Sequence, residues 1–194
     1  MTSSARKNSS ARKKASRRRM HRQESPRRRT PRRPPTVEIV TSSPLWKERP
    51  SAAAVLRRAI AAAAEVSMTT GELAVVLTDD SAIRKLNRDW RHKNAATNVL
   101  AFPAARVRAM RGKPCLLGDI VIAFETAERE ARAVHKPFTH HLAHLAVHGY
   151  LHLVGYDHEA DGEAEEMEGL ETATLARLAV PDPHLGRVPP PAAT

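Results

Sequence analysis

The run His148-Gly-Tyr-Leu-His152-Leu-Val-Gly155-Tyr-Asp-His158 restricts this chain more than any other stretch. On a helix, side chains four positions apart lie on one face with Cβ atoms about 6 Å apart, so His148 and His152 can offer two imidazole nitrogens to one ion. Gly155 can take the left-handed conformation that ends a helix and turns the chain back, which brings His158 round as a third ligand. Three ligands leave one tetrahedral position open to water, the arrangement of a catalytic zinc rather than a structural one. The chain therefore needs a helix ending near residue 154 and a scaffold that supports it.

The chain has 194 residues, enough for one ordinary domain, and its 41% apolar content can supply a core. A lone cysteine, Cys115, excludes an internal disulfide framework and fits a reducing compartment. No apolar run is long enough to cross a bilayer, and the N-terminus lacks the apolar core of a secretory signal, so the expectation is a soluble, cytoplasmic protein. The net charge of +11 is unevenly distributed: residues 1–36 carry 14 of the 32 Lys/Arg and one acid, Glu24, leaving 18 basic and 20 acidic residues elsewhere. That Ser/Arg/Pro-rich segment has too little apolar surface to offset its ordering entropy and reads as a disordered basic tail. One reading is a phosphate-binding arm acting through counterion release. The others are a solubilising tail, a translation start placed too far upstream, with Met20 as an alternative, or an organellar transit peptide.

Residues 37–180 form the predicted domain, followed by a Pro-rich tail, 181–194. Strands are expected at Val37–Val40, Glu72–Thr78, Asn98–Phe102 and Leu116–Ala123. Ser51 can cap a helix over Ala52–Val66, with Val55, Leu56, Ile60 and Ala63 on its apolar face. Asp79 or Asp80 caps a second helix to about Trp90, and a third spans Phe124–Val134. A fourth starts near Pro137 and carries the histidines to about Val154, and an acidic helix covers roughly Gly162–Leu178. A basic loop, Ala104–Pro114, brings Arg106, Arg108, Arg111 and Lys113. Four strands with helices between them imply an α+β domain with α/β character, in which a small mixed sheet and about five helices support the histidine helix.

Ten histidines make coincidence a serious competitor. His140, His144, His148 and His152 all fall four apart, so spacing alone allows several pairs. His135, His140, His141 and His144 read as ordinary satisfied imidazoles, and the acidic stretch Glu163–Glu171 reads as a solvated face. The triplet around Gly155 also fits the metzincin protease pattern H-E-x-x-H-x-x-G-x-x-H, with one departure: Gly149 stands where the general-base Glu belongs, and glycine cannot accept a proton. Unless Asp157 or Glu159 substitutes, the residues support a metal without supporting peptide hydrolysis.

The signature H-G-x-L-H-L-x-G-Y-D-H, met at His148, Gly149, Leu151, His152, Leu153, Gly155, Tyr156, Asp157 and His158, resembles the YbeY family of metal-dependent endoribonucleases, the bacterial rRNA maturation factors. A second family stretch is similar to Leu86, Asn87, Arg91, Lys93, Thr97, Asn98, Val99, Leu100, Phe102 and Pro103, and a third to Leu117, Gly118, Asp119 and Ile120. Departures are Trp90 for the family Tyr, Asn94 for Asp, Ala96 for Pro and Ala101 for Ser. The resemblance covers about Val37 to Leu178.

It implies one zinc held by His148, His152 and His158, a functional Arg91, and an acid/base role for His148, although a metal-bound imidazole is a poor proton acceptor. A guanidinium suits phosphodiester hydrolysis because negative charge builds on the non-bridging oxygens. Asp119, Lys93 and Asn98 are candidates for the cleft wall or for orienting a ligand, Asp119 by holding an imidazole from behind. Trp90 and Phe102 offer faces on which a base can stack, with core packing the plainer role for Phe102. The expected function is cleavage of single-stranded RNA during small-subunit rRNA maturation. Expected partners are rRNA precursors, the small ribosomal subunit, and ribosomal proteins or a ribosome-assembly GTPase. A zinc peptidase and a non-catalytic, ribosome-associated RNA-binding factor with a structural zinc are the competing readings.

Overall fold

The two most apolar strand sequences form the middle of a four-stranded sheet, β2 (Glu72–Thr78) and β4 (Leu116–Ala123). Outside them lie β1 (Thr36–Thr41), paired with β2, and β3 (Val99–Pro103), paired with β4, in the order β1-β2-β4-β3. The first three run parallel and β3 runs antiparallel to β4, so the sheet is mixed. Among the described residues five α-helices complete an α+β fold, as expected: α1 (Ala52–Ser67), α2 (Asp80–Arg91), α3 (Phe124–Ala133), α4 (Phe138–Leu153) and α5 (Asp161–Arg177). The computed structural model describes residues 33–105, 115–157 and 161–183, all within the unit Arg32–Thr194. The other predicted features, namely residues 1–32 of the basic segment, Arg106, Arg108, Arg111, Lys113, His158, Glu159 and the Pro-rich end after residue 183, lie outside the described residues. Among those described, no helix is long and apolar enough to cross a membrane.

Alternation along β4 separates the two faces of the sheet. Ile120 and Ile122 join the main core with Leu56 and Ile60 of α1, Leu142, Ala146 and Tyr150 of α4, and Met167 and Leu175 of α5. Val121 and Ala123 face the other way and pack with Ile83 of α2 and Leu100 of β3 in a smaller cluster. The histidine helix thus lies on the large-core face, and α2 lies on the opposite one.

Two caps set the direction of α2, whose far end carries Arg91. Asp79 accepts from the Ala82 N–H at 2.9 Å, which satisfies one of the free donors of the first turn. Asp80 takes the backbone N–H and the hydroxyl of Thr126 at 3.1 and 2.7 Å, while Glu125 takes the Asp80 N–H at 2.9 Å, so the starts of α2 and α3 are tied together. Ser51, expected to cap α1, makes no side-chain cap bond. Its backbone is already helical (φ −80°, ψ −8°), whereas a capping side chain reaches its donor from an extended residue. A 3-10 turn at Pro44–Glu48, too short to show a periodic signal in the sequence, buries Trp46, whose indole N–H donates to the Thr78 carbonyl at 2.8 Å.

Helix α4 is seated on the sheet at Gly149. A Cβ built there would lie 2.9 Å from Cγ2 of Ile120, a fully buried side chain. The position of the missing protease glutamate is therefore occupied by the sheet. Alanine at 149 is expected to lower stability by about 1–3 kcal/mol through overpacking, against a helix-propensity gain of about 1 kcal/mol. Urea denaturation of Gly149→Ala should give a lower midpoint than the parent, and an equal or higher one would contradict this account of the contact.

Candidate metal centre and cleft

The repeat of four brings the rings of His148 and His152 together, with centroids 4.6 Å apart and Nε2 atoms 3.2 Å apart. Two nitrogens on a tetrahedral zinc, each about 2.0–2.1 Å from the ion, stand about 3.3 Å apart, so this pair has ligand spacing. After Leu153 the helix stops: Gly155 takes φ 99°, a left-handed value open to glycine, and its N–H and that of Tyr156 bond back to the carbonyls of His152 and Leu151. Beyond the turn, Asp157 lies 3.9 Å from Nδ1 of His152 and His158 lies outside the described residues. The expected pair is therefore together, and the expected turn follows it.

Behind His148 stands a residue assigned to a solvated face. Glu163, Glu165, Glu166 and Glu168 are exposed as expected, but Glu171 is 2% exposed. It sits on the buried stripe Met167, Glu171, Thr174 and Leu175 of α5, which packs against α4 and α1. One carboxylate oxygen lies 2.7 Å from Nδ1 of His148 and the other 3.5 Å from Nε2 of His144. His144, His148 and Glu171 bring their ligand atoms within 4.8 Å of one another, a second grouping able to hold a metal. Burial alone would raise the Glu171 pKa, but hydrogen bonds from His144 and His148 and their charge outweigh it and hold the carboxyl well below the usual range. A carboxylate at helical spacing within an apolar stripe was the sequence signal for this residue.

A cleft of about 700 Å³ opens over the histidines. Its floor is His148, Gly149 and His152, one end is Gly155, Tyr156 and Asp157, and one wall is Val99, Ala101 and Pro103, the alternate residues of β3 that face α4. Arg91 and Lys93 complete the lining from the end of α2 and the connector after it. The connector is held in shape by buried Asn87, whose amide donates to the Ala95 carbonyl at 2.8 Å and whose backbone carbonyl accepts from Lys93. Residues far apart in sequence thus line one cleft.

The remaining candidates stand elsewhere. Asp119 is exposed and belongs to the β4 face opposite Ile120, so it looks away from α4, and Glu171 instead contacts the imidazole. Asn98 is outside the cleft lining: its amide donates to Glu130 at 2.8 Å and its carbonyl takes the Val99 N–H at 2.6 Å, fastening β3 to α3. Trp90 is 70% exposed with its ring 5.9 Å from half-buried Phe102, on the α2 side of the sheet. Of the histidines read as satisfied imidazoles, His141 bonds to Glu130 at 3.0 Å and His144 meets Glu171.

Comparison with known proteins gives the family of the chain. The family described as Endoribonuclease YbeY matches residues 46–179. An Endoribonuclease YbeY of Bradyrhizobium sp. (strain BTAi1) is 53% identical over 156 residues, covering 77% of this chain and 92% of its own. Another, from Rhodopseudomonas palustris (strain CGA009), is 55% identical over 154 residues, covering 77% and 81%. The chain belongs to the YbeY endoribonuclease family.

The Asn98, Glu130 and His141 cluster makes a pH prediction. Burial pushes the Glu130 carboxyl up, but hydrogen bonds from His141 and Asn98 and the charges of His141 and Arg129 bring it below its ordinary value. A carboxyl depressed by folding adds stability above its unfolded pKa and loses it as pH falls through the folded value. Glu130→Gln should therefore be less stable than the parent at pH 7, and the gap should close below about pH 4; urea denaturation at both pH values reads it, and a gap that widens in acid would exclude this role.

Proposed function

We propose that this chain is a cytoplasmic, zinc-dependent endoribonuclease that cuts single-stranded RNA, with small-subunit ribosomal RNA precursors as substrate and the small ribosomal subunit as partner. The observation that carries the reading is the pair of Nε2 atoms at ligand spacing on the floor of a cleft also lined by Arg91 and Lys93. His148, His152 and His158 are the residues that would hold the metal. The donor set fits zinc: neutral imidazoles suit it, and the lone cysteine is exposed on β4's approach rather than at the site. When bound, zinc supplies a water activated for attack at neutral pH.

The other residues have roles this chain can perform itself. Arg91 binds the scissile phosphate and offsets the charge that grows on its non-bridging oxygens in the transition state. Lys93, two residues on, attracts a neighbouring phosphate as a point charge. The apolar wall of Val99, Ala101 and Pro103 gives sugar and base a surface without competing hydrogen bonds. Both ring nitrogens of His148 are engaged, Nδ1 by Glu171 and Nε2 toward His152, so we assign it ligand duty and no proton transfer. The close approach of Gly149 to Ile120 counts against a peptidase, because that position has no room for a base.

Purified protein should contain one zinc per chain and cut a single-stranded RNA while leaving casein intact. His152→Ala should lose both zinc and cleavage; if it lost zinc and cut RNA like the parent, the metal-centred reading would fail. Arg91→Glu should keep its zinc and lose cleavage by at least about 10²–10³-fold, the scale of removing one transition-state charge partner. Undiminished cleavage by Arg91→Glu would remove that residue from the mechanism, and ribosome binding without cleavage by clean parent protein would favour a binding factor.

A further inference from the structure

We propose that Glu171 is a positioning residue that fixes the tautomer and orientation of His148, holding Nδ1–H so that Nε2 points to the metal shared with His152. The inference rests on the metal reading above and deepens it. Its carboxylate is buried on the side of the imidazole away from the cleft, delivered by a helix that contributes nothing to the cleft lining among the described residues. A carboxylate facing Nδ1 makes that nitrogen the protonated one and leaves the Nε2 lone pair for the cation.

Two distances separate this arrangement from one in which Glu171, His144 and His148 hold the ion themselves. The 2.7 Å contact between Glu171 and His148 Nδ1 is the length of a charge-assisted N–H···O bond, well short of the about 3.3 Å expected between two ligands of one tetrahedral zinc. The 3.2 Å between the Nε2 atoms of His148 and His152 does match that edge. The second carboxylate oxygen, 3.5 Å from His144, gives the buried charge another partner, so His144 steadies Glu171 rather than reaching the ion. A fixed imidazole is also a better ligand because it loses less rotational freedom on binding.

The test compares full-length parent, Glu171→Gln and His144→Ala after stripping with chelator, titrating Zn²⁺ against a chromophoric competitor. Glu171→Gln is expected to bind one zinc about 10–100-fold more weakly than the parent, measured at a temperature where circular dichroism shows the metal-free variant fully folded. His144→Ala is expected to stay within about threefold, below the scale of losing a partner that contacts a ligand. Long-range ¹H–¹⁵N spectra of the zinc-loaded parent decide the tautomer without any variant: Nδ1 of His148 should carry the proton, with Nε2 on the metal. Zinc affinity unchanged in Glu171→Gln, or Nδ1 on the metal, would overturn the proposal, as would loss of zinc from His144→Ala. A parent protein that takes up no zinc would instead remove the metal reading on which this one stands.

Discussion

The contact between Gly149 of α4 and Ile120 of β4 seats the histidine helix on the sheet. With no Cβ at 149, the helix settles onto the sheet, and a side chain there would sit 2.9 Å from a buried methyl. That depth sets how far His148 and His152, one residue before and three after, stand above β3, and therefore how wide the cleft is. The same contact removes the position from which a metalloprotease would supply its base. One steric constraint thus fits the helix to the sheet and narrows the chemistry.

Charge inside the protein is arranged around the same helix. Isolated, a carboxylate as buried as Glu171 would be costly, and it is stable because two imidazoles of α4 face its two oxygens. The pairing ties α5 to α4 and keeps one face of His148 occupied. A second carboxylate, Glu130, does similar work on the other side of α4, linking His141 to Asn98 and so to the start of β3. Both walls of the histidine helix are therefore held by acid and imidazole contacts rather than by apolar packing alone.

The departures from the family pattern fall where the structure absorbs them. Ala96 packs against the smaller core cluster, and the connector around it is fastened by Asn87, so the loss of a proline there leaves the shape of the loop to a buried amide. Ala101 lines the cleft, which makes that part of the wall apolar. Trp90 keeps an aromatic edge against Phe102 while leaving most of its surface exposed.

Period and spacing were enough to read the strands, the four-apart histidine pair, the glycine turn and the absence of a protease base, because each depends on neighbours within one element. Asp79 as a cap and Gly155 at positive φ are local in the same sense. What the sequence could not determine is which distant side chains meet. Asp119 was a reasonable partner for a ligand histidine, but strand alternation turns it to the far face of the sheet. Glu171 looked like one more acid in a solvated run, and only the packing of α5 on α4 buries it against His148. Local geometry follows from covalent periodicity, whereas the burial of a charge depends on which faces of two helices are pressed together, and that is settled only when the whole core closes.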